Sequence, residues 1–398
     1  MLKWKKWKPG DPITINRVVW GAPEVDQVLK MLDGDWFAAG RYIKEFEKQF
    51  AALVEQPHCQ TLNSGTSAIF LAVQILVEEG IWKSGDKIVH PYLTFPTSMN
   101  PLLLFDLRPV LIDVDPGTCN LSCDALEIAL RDHPDIRGAV IPHLLGNSPD
   151  MALVLDMLGD RLLIEDCCDT IGSKAAGQQV GTFGEAAAYS FYASHNVTTA
   201  GVGGALVTNN QGFYRKVRSM VHWGRNESRL PDNATVFARF RNRYWYTHVG
   251  YDLQMTEVQA AFGLGQLTRL PDLTAMRRRA FALLGQEMAQ YEGRFILPKV
   301  HPGNDPIWFG YPLTIPNQEL YWGLVEHLIE NKIEIRPLFT GNILAHPAYQ
   351  PWKAEIIKGG PSHQADLVLQ GGLFLPAWND EQSPYVAETI HEFMRKQS

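Results

Sequence analysis

His195 is the residue of this chain whose type and surroundings most clearly indicate chemistry. It lies in residues 190–205, which read S-F-Y-A-S-H-N-V-T-T-A-G-V-G-G-A, a segment rich in small, hydroxylated and glycine residues. An imidazole exchanges protons near neutral pH, because its unperturbed pKa is about 6.5. It does not form the Schiff base with a carbonyl compound that a lysine amine forms. His195 is therefore a candidate for moving protons, although a histidine without further context is more often a core or surface residue with its polar atoms satisfied.

A second candidate site precedes an apolar stretch at residues 69–77 that is typical of a buried helix. Residues 63–68 read N-S-G-T-S-A. Small and hydroxylated residues at a helix start leave backbone N–H groups open to a phosphate, which the helix dipole also favours. Gly65, Thr66 and Ser67 are therefore candidate phosphate ligands. The same residue types also serve as ordinary helix caps, so both interpretations stay open.

Asp166 follows an apolar run at residues 162–164 that predicts a buried strand. A carboxylate buried at the end of a strand is costly unless a partner neutralises it. The partner is either a cationic group of a ligand or, in the plainer interpretation, a helix cap or a structural ion pair.

Residues 190–205 resemble the cofactor-lysine segment of the DegT/DnrJ/EryC1/StrS family of pyridoxal-phosphate sugar aminotransferases, S-F-Y-x-x-K-x-x-T-x-G-x-G-G-A. The resemblance covers roughly residues 34–376. It implies an α/β protein of fold type I, with a mostly parallel sheet in a large domain and a smaller C-terminal α+β domain. His195 stands where most of the family has lysine. In this respect the chain resembles the family's deoxygenating branch, the 4-keto-6-deoxyhexose 3-dehydratases, which carry histidine at this position.

The resemblance assigns several residues to pyridoxal 5′-phosphate or its amine form, pyridoxamine 5′-phosphate. It implies that Gly65, Thr66, Ser67 and Ser190 bind the cofactor phosphate. Asp166, in an E-D-x-x-[QED] pattern, is implied to face the pyridine nitrogen. Protonation of that nitrogen makes the cofactor ring an electron sink.

Other residues of the implied site surround the cofactor ring. Phe95 matches the aromatic residue that stacks on the ring, and Asp169 takes the place of a Gln or Glu near the phenolic oxygen or the substrate. His222, in the H-W-G-R motif at residues 222–225, is expected at the substrate. Asp252 replaces an asparagine that reaches the cofactor phosphate across a subunit interface, where a carboxylate is repelled. The resemblance thus implies a homodimer with shared active sites.

Two motifs near the C-terminus are similar to the deoxygenating branch. Residues 308–311 read W-F-G-Y, and residues 336–342 read R-P-L-F-T-G-N. Asn342 replaces a histidine that is typical of the aminotransferases. Arg336 is expected to hold the carboxylate of glutamate or the diphosphate of a nucleotide, or else to be a structural ion-pair partner.

The resemblance implies a reaction that removes the C3 hydroxyl of a nucleotide-linked 4-keto-6-deoxyhexose. The amine form of the cofactor condenses with the C4 ketone, His195 acts as the base, and L-glutamate regenerates the amine. A sugar aminotransferase is the first alternative, and it requires Lys174 or Lys216 to reach the cofactor from outside the expected motif. A non-catalytic cofactor-binding protein is the second alternative.

One kind of 3-dehydrase uses an iron–sulfur cluster and a partner reductase, and several stretches here are similar to it. Its cluster takes one thiolate from a Cys-Cys pair, here Cys167 and Cys168, and three from the loop after H-W-G-R. Residues 226–242 contain no cysteine. Because a single thiol does not hold a cluster that takes four, we expect the metal-free, glutamate-dependent route and two buried thiols.

The composition bounds the class of protein. A chain of 398 residues with 45% hydrophobic residues is typical of a soluble protein with two domains, and the net charge of −7 gives no reason to expect nucleic acid. An odd number of cysteines, five, favours reduced thiols. No run is apolar enough to cross a membrane and no secretion signal is visible, which predicts a cytoplasmic protein without a membrane partner. The basic, aromatic residues 1–8 indicate a solvated or packed arm more than a membrane contact.

The elements that position the candidate residues are predicted from apolar periodicity. Strands are expected at residues 87–89, 109–113, 138–142 and 161–166, alternating with helices. This alternation predicts a mostly parallel sheet covered on both faces, with functional groups beyond the carboxyl ends of its strands.

A long helical pattern begins near Thr256 and resumes after Pro271. Beyond it, strands are expected at 307–315 and 333–338, and helices at 319–331 and 384–396. We predict a large cofactor-binding domain at residues 1–265 and a small domain at 266–398. The three arginines at 277–279 are interpreted as a solvated face.

Overall fold

The computed structural model describes residues 7–8, 10–34, 36–226 and 233–397. The α-helices within these residues are α1 Ala22–Leu32, α2 Arg41–Leu53, α3 Gly65–Glu78, α4 Pro96–Leu104, α5 Cys123–Asp132, α6 Met151–Leu158, α7 Gln211–Val221, α8 Val236–Asn242, α9 Glu257–Met288, α10 Gln318–Glu330, α11 His363–Gly371 and α12 Ser383–Arg395. The strands are β1 His58–Leu62, β2 Lys87–Pro91, β3 Arg108–Ile112, β4 Val114–Asp115, β5 Asn120–Leu121, β6 Ile136–Pro142, β7 Leu162–Asp166, β8 Lys174–Ala175, β9 Gln178–Gln179, β10 Ala186–Ser190, β11 Gly204–Thr208, β12 Tyr311–Thr314, β13 Arg336–Pro337, β14 Ile357–Lys358 and β15 Gly372–Leu375.

The large sheet has the strand order β1-β11-β10-β7-β6-β2-β3-β14. Strand β11 pairs antiparallel with both β1 and β10, and the pairs from β10 to β14 are all parallel. The predicted strands at 87–89, 109–113, 138–142 and 161–166 are confirmed as β2, β3, β6 and β7. Apolar runs bounded by polar or Gly/Pro residues therefore located the middle of the sheet correctly.

Alternate residues of the sheet point to opposite faces, and both faces are buried. Ile88 and Val140 belong to one apolar cluster, whereas their neighbours Val89 and Ile141 belong to the other. Strands with both faces covered read as continuous apolar runs, as the sequence of these strands does. The sheet is therefore an inner layer with helices on either side.

Helix α9 crosses from the large sheet to the C-terminal part of the chain without a break at Pro271. Its N-terminus carries a capping box, in which Thr256 accepts a hydrogen bond from the Gln259 backbone N–H at 3.3 Å. The helix packs on α1 and α2 at one end and on α12 at the other. This packing outweighs the backbone hydrogen bond that the proline removes.

The strands predicted at 307–315 and 333–338 are shorter than expected. Residues 311–314 and 336–337 form β12 and β13, which flank β15 in a three-stranded antiparallel sheet. The backbone N–H of Ile307 donates instead to Ser173 Oγ, and that of Phe309 donates to the carbonyl of Leu145. Both N–H groups therefore bond to loops of the large sheet, and residues 307–310 do not form a β-ladder. The helices expected at 319–331 and 384–396 are confirmed as α10 and α12.

Contacts between distant parts of the chain cross the division predicted at residue 265. Strand β14 joins the large sheet beside β3, and Ile13 forms a bridge with Ile333. The two-domain division stays a prediction. Of the N-terminal arm, residues 1–6 lie outside the described residues, and Trp7 packs on Tyr385 with ring centroids 5.5 Å apart. In the described part of the chain, no helix has both the length and the apolar character that a membrane span needs.

Candidate active site

A cavity of about 590 Å³ opens at the carboxyl ends of β6, β7 and β10. The candidate residues that line it are Gly65, Thr66, Phe95, Asp166, Asp169, Ser190, His195 and Arg336. The parallel strands end at one edge of the sheet, which brings side chains from distant parts of the sequence into one space. The structure therefore gathers eight of the twelve candidate residues around a single cavity.

The start of α3 forms one wall of this cavity. Ser64 caps the helix by accepting a hydrogen bond from the Ser67 N–H at 3.1 Å, so Gly65 and Thr66 occupy the first turn. Ser190, at the end of β10, lies beside them. A β-carbon built on Gly65 would lie 2.7 Å from Cys168 Sγ and 3.0 Å from Ser190 Cβ. Glycine is therefore needed for the helix end to approach the sheet this closely.

Asp166 lies at the end of β7 with its carboxylate buried. Its Oδ1 accepts a hydrogen bond from the Cys168 N–H at 3.1 Å, and its Oδ2 accepts one from the Ser98 hydroxyl. Burial raises the pKa of Asp166, although its hydrogen bonds oppose the rise. Among the described residues, no cation forms an ion pair with this carboxylate. A cationic group of a ligand in the cavity would neutralise it.

His195 lies against Asp169, with Nδ1 of the imidazole 3.3 Å from Oδ1 of the carboxylate. This distance is that of an ion pair, but the two groups are not aligned for a hydrogen bond. The other oxygen of Asp169 accepts a hydrogen bond from the Leu145 N–H at 3.1 Å, which fixes the carboxylate. Nδ1 of His195 therefore faces Asp169, and Nε2 is the ring nitrogen on the other side of the imidazole.

Phe95 and Arg336 lie where the cavity meets solvent. Phe95 is half exposed and precedes α4. The Thr340 hydroxyl donates to the carbonyl of Thr94 at 2.8 Å, which joins the Phe95 loop to the loop after β13. Arg336 is held by Glu334, whose Oε1 accepts from both Nε at 3.2 Å and Nη2 at 2.9 Å. Both side chains are thereby placed to contact a ligand that enters the cavity.

Four candidate residues do not line the cavity of the single chain. The hydroxyl of Ser67 donates to Asn63 Oδ1 at 2.6 Å. Asn342 is buried, donates to Asp366 Oδ1 at 2.7 Å and accepts from the Leu344 N–H at 3.0 Å, which makes it a cap of the short helix that follows.

The other two, His222 and Asp252, form a backbone bridge with each other. Nδ1 of His222 bonds the carbonyl of Arg218, and the exposed Asp252 accepts from Gln254 Nε2. Their contacts with a ligand stay predictions.

Three residues around the cavity were missed or misjudged from the sequence. Cys167 is buried as expected, but Cys168 is only half buried and lines the cavity. Phe309 packs with its ring centroid 5.6 Å from that of His195. Arg277, interpreted as part of a solvated face, is 5% exposed. Sequence periodicity carried a signal for Arg277, because the residue falls at helical spacing between Leu273 and Ala280 on the buried face of α9, whereas Arg278 and Arg279 are exposed.

No lysine is found among the described residues that line the cavity. Lys174 lies 3.8 Å from Glu55, and Lys216 lies 3.4 Å from Glu78 and 3.7 Å from Glu79. The two lysines that an aminotransferase interpretation would need are therefore held in ion pairs elsewhere.

The residues present fit pyridoxal phosphate. Its pyridinium nitrogen would neutralise the buried Asp166, its phosphate would meet the first turn of α3 and Ser190, and Phe95 would cover its ring. The chain has a mostly parallel sheet, a long connecting helix and a short antiparallel sheet after it, with this cavity at the edge of the large sheet. This is the fold of the fold type I pyridoxal-phosphate proteins.

The chain belongs to the DegT/DnrJ/EryC1/StrS aminotransferase family, whose model matches residues 20–391. It is 32% identical to the dTDP-4-dehydro-2,6-dideoxy-D-glucose 3-dehydratase of Saccharopolyspora spinosa, over 91% of this chain and 82% of that protein. It is 34% identical to the GDP-perosamine synthase of Caulobacter vibrioides, over 79% of this chain and 81% of that protein.

The fold is also that of the Escherichia coli GDP-4-keto-6-deoxy-D-mannose-3-dehydratase with bound hydrated pyridoxal phosphate. The TM-score is 0.88 at 24% identity, over 95% of this chain and 98% of that one. The family, the fold class and pyridoxal phosphate as the family's cofactor are thus confirmed as predicted from the sequence.

Proposed function

We propose that this protein is a 3-dehydratase of a nucleotide-linked 4-keto-6-deoxyhexose that uses pyridoxamine phosphate and L-glutamate. The observation that carries the proposal is His195, which occupies the cofactor-lysine position of the family and lines a cavity whose described residues include no lysine. A cofactor that is not tied to the chain is free to stay bound to the sugar while a hydroxyl leaves.

The bound cofactor would supply an electron sink next to carbon 4 of the sugar. Asp166 would hold a proton on the pyridine nitrogen, because a buried carboxylate favours a cation beside it. The first turn of α3 and Ser190 would hold the phosphate, and Phe95 would fix the plane of the ring. These residues orient the reacting atoms but do not themselves exchange protons with the sugar.

His195 would accept a proton at Nε2 and pass it to the departing C3 hydroxyl, which would leave as water. The Asp169 carboxylate would face the ring from the Nδ1 side. A correctly placed general base contributes about 10²–10⁴-fold to the rate. The same nitrogen would take the α-proton of glutamate when the amine form is regenerated. Arg336 would bind a carboxylate or a diphosphate at the mouth of the cavity.

The test incubates the protein with pyridoxal phosphate, L-glutamate and a panel of nucleotide-linked 4-keto-6-deoxyhexoses, followed by mass spectrometry of the sugars. We expect a product that lacks one hydroxyl group. An amino sugar as the main product would overturn the proposal and favour the aminotransferase alternative, which the family name and the GDP-perosamine synthase relative support.

A second test replaces the proposed base. His195→Lys is expected to bind the cofactor covalently and to lower deoxygenation at least about 100-fold. Borohydride reduction and peptide mass spectrometry would locate the adduct on residue 195. His195→Gln is the matched control, since it removes the base without supplying an amine and should give slow turnover with no adduct. Undiminished deoxygenation in both variants would contradict the role of the imidazole.

A further inference from the structure

Arg277 is a buried cation in the middle of α9. Its Nη1 donates to the carbonyl of Phe309 at 3.2 Å, and no carboxylate of a described residue forms an ion pair with it. Burial lowers the pKa of Arg277 to about 10, and the charge of Asp169 partly opposes this shift. The next residue, Arg278, is by contrast exposed and pairs with Asp305 at 2.6 Å. A buried charge without an ion-pair partner costs free energy of folding, so its presence indicates a functional or a structural role.

Arg277 lies behind the proposed base. Both residues line a small cavity, distinct from the main one, together with Asn16 and Asn196. Phe309 bridges the two, with its ring centroid 5.6 Å from the imidazole centroid and 5.9 Å from the guanidinium carbon. His195 thus shares a cavity and a contacting ring with Arg277, and it has the Asp169 carboxylate 3.3 Å from its Nδ1.

Other charged and titratable groups also face His195. Those lining the main cavity with it are Asp166, Cys168, Asp169, Tyr192 and Arg336, and those lining the small cavity are Arg17 and Arg277. Arg17 and Arg336 are exposed, so water screens their charges. Arg277 is the buried cation of this set, and its field acts through a medium of low dielectric constant.

We propose that Arg277 is a positioning residue that keeps His195 neutral and Asp169 ionised. The Asp169 carboxylate lies 3.3 Å from Nδ1 of the imidazole, and its negative charge by itself would favour the protonated ring. The positive charge of Arg277 would oppose protonation of the ring and stabilise the carboxylate. Arg277 would thereby offset the effect of the carboxylate and leave the base free to accept a proton. The catalytic consequence rests on the proposed function, but the electrostatic claim does not.

The experiment titrates His195 by NMR in the full-length protein without added cofactor, using histidine labelled in the ring. The signal is assigned by its loss in His195→Gln. Arg277→Gln keeps an N–H donor for the Phe309 carbonyl and removes the charge. We expect the titration midpoint of His195 to rise by about one pH unit in this variant. Arg277→Met serves the same purpose if the glutamine variant does not fold.

Two variants separate charge from structure. Arg277→Lys keeps the positive charge and should leave the midpoint close to that of the unchanged protein. Arg278→Gln removes an exposed charge one residue along the same helix and should also leave it in place. No shift in Arg277→Gln, or an equal shift in Arg277→Lys, would overturn the proposal.

Turnover gives a second readout that depends on the proposed function. In Arg277→Gln, the acidic limb of the kcat/KM profile is expected to move to higher pH by the same amount as the NMR midpoint. A protein that titrates as expected but makes no deoxygenated sugar would refute the dehydratase and leave the role of Arg277 standing. A midpoint that shifts while the active enzyme's pH profile stays unchanged would refute the assignment of His195 as the base.

Discussion

Asp166 and its neighbour Glu165 are both buried carboxylates at the end of β7, but their surroundings differ. Glu165 accepts hydrogen bonds from the N–H groups of Gly181 at 2.8 Å, Phe183 at 2.7 Å and Gly184 at 2.8 Å, and lies 3.1 Å from His143 Nε2. Asp166 has two hydrogen-bond donors and no ion-pair partner among the described residues. The first carboxylate is satisfied by the fold, whereas the second is left for a ligand.

Asp166→Asn is expected to stabilise the cofactor-free protein at neutral pH by roughly 1 kcal/mol, or about 2 °C in Tm. Burial raises the pKa of Asp166 in the folded state. The cost of its charge is therefore absent below the ordinary value of 3.8 and fully present above the raised pKa. The gain in Tm should accordingly be present at pH 8 and disappear as the pH falls towards 4, as measured by thermal unfolding at several pH values.

Asp166→Asn should also weaken cofactor binding at least about tenfold, since the pyridinium of the cofactor loses its counter-charge. Glu165→Gln is the matched control and is expected to lower Tm, because its carboxylate is used by three backbone donors. A loss of stability in Asp166→Asn without cofactor would contradict the ligand role.

At the scale of elements, the cofactor site depends on how closely α3 approaches β7 and β10. The closest point is Gly65, where an added β-carbon would meet Cys168 Sγ at 2.7 Å, Ser190 Cβ at 3.0 Å and the Tyr189 carbonyl at 3.2 Å. Two of these three atoms belong to the sheet, which does not move easily. The spacing between helix and sheet therefore limits the room beside the first turn of α3, where we propose that the cofactor phosphate binds.

Gly65→Ala is expected to destabilise the protein by about 1–3 kcal/mol through overpacking. It should also weaken phosphate-dependent cofactor binding, because the first turn of α3 is pushed outward. Urea unfolding and a cofactor titration would measure the two effects. Adding Cys168→Ala removes the nearest atom and should restore part of the stability.

Gly285→Ala in α9 is the control for the glycine substitution itself. A β-carbon there comes no nearer than 3.9 Å to Tyr311, so the change should be neutral or stabilising by up to about 1 kcal/mol. A Gly65→Ala variant as stable as Gly285→Ala would show that the helix start has room to move.

At the scale of the whole molecule, α8 and the residues after it expose a large apolar surface. The exposed side chains are Val236, Phe237, Phe240, Tyr244, Trp245, Tyr246 and Val249. Contiguous exposed apolar patches mark interaction sites in soluble proteins. This segment leads into Asp252, which the sequence resemblance places at a subunit interface. We therefore expect a second copy of the chain to cover the patch.

Phe240→Glu is expected to shift a homodimer towards monomers, because it places a charge in a surface that association would dehydrate. Phe240 is 75% exposed in the single chain, so the substitution should leave the free energy of unfolding nearly unchanged. Sedimentation velocity at micromolar concentration would measure the monomer fraction. Trp322→Glu, on the exposed face of α10, is the control and should leave the monomer fraction unchanged. An unchanged dimer in Phe240→Glu would place the interface elsewhere.

The sequence by itself determined the parallel strands, the long helix and the cofactor motifs. Each of these is a local property: an apolar run, a helical pattern that begins near Thr256, or a short pattern around His195. Local patterns depend on residues close together in the chain and can be recognised without the fold. The strand expected at 307–315 is confirmed only at residues 311–314, because Ser173 and Leu145, in distant loops, accept the hydrogen bonds of the Ile307 and Phe309 N–H groups.

Only the tertiary structure decided which candidate residues meet. It placed Asp169 against His195 and paired Asn342 with Asp366 in a hydrogen bond. It also buried Arg277, whereas Arg278 and Arg279 remain exposed. These outcomes depend on distances between residues far apart in the sequence, and on water being excluded from one side of a helix. Charge interactions are strong where water is excluded and weak where it is not. For this reason the identity of the proposed base was readable in the chain, but its electrostatic surroundings were not.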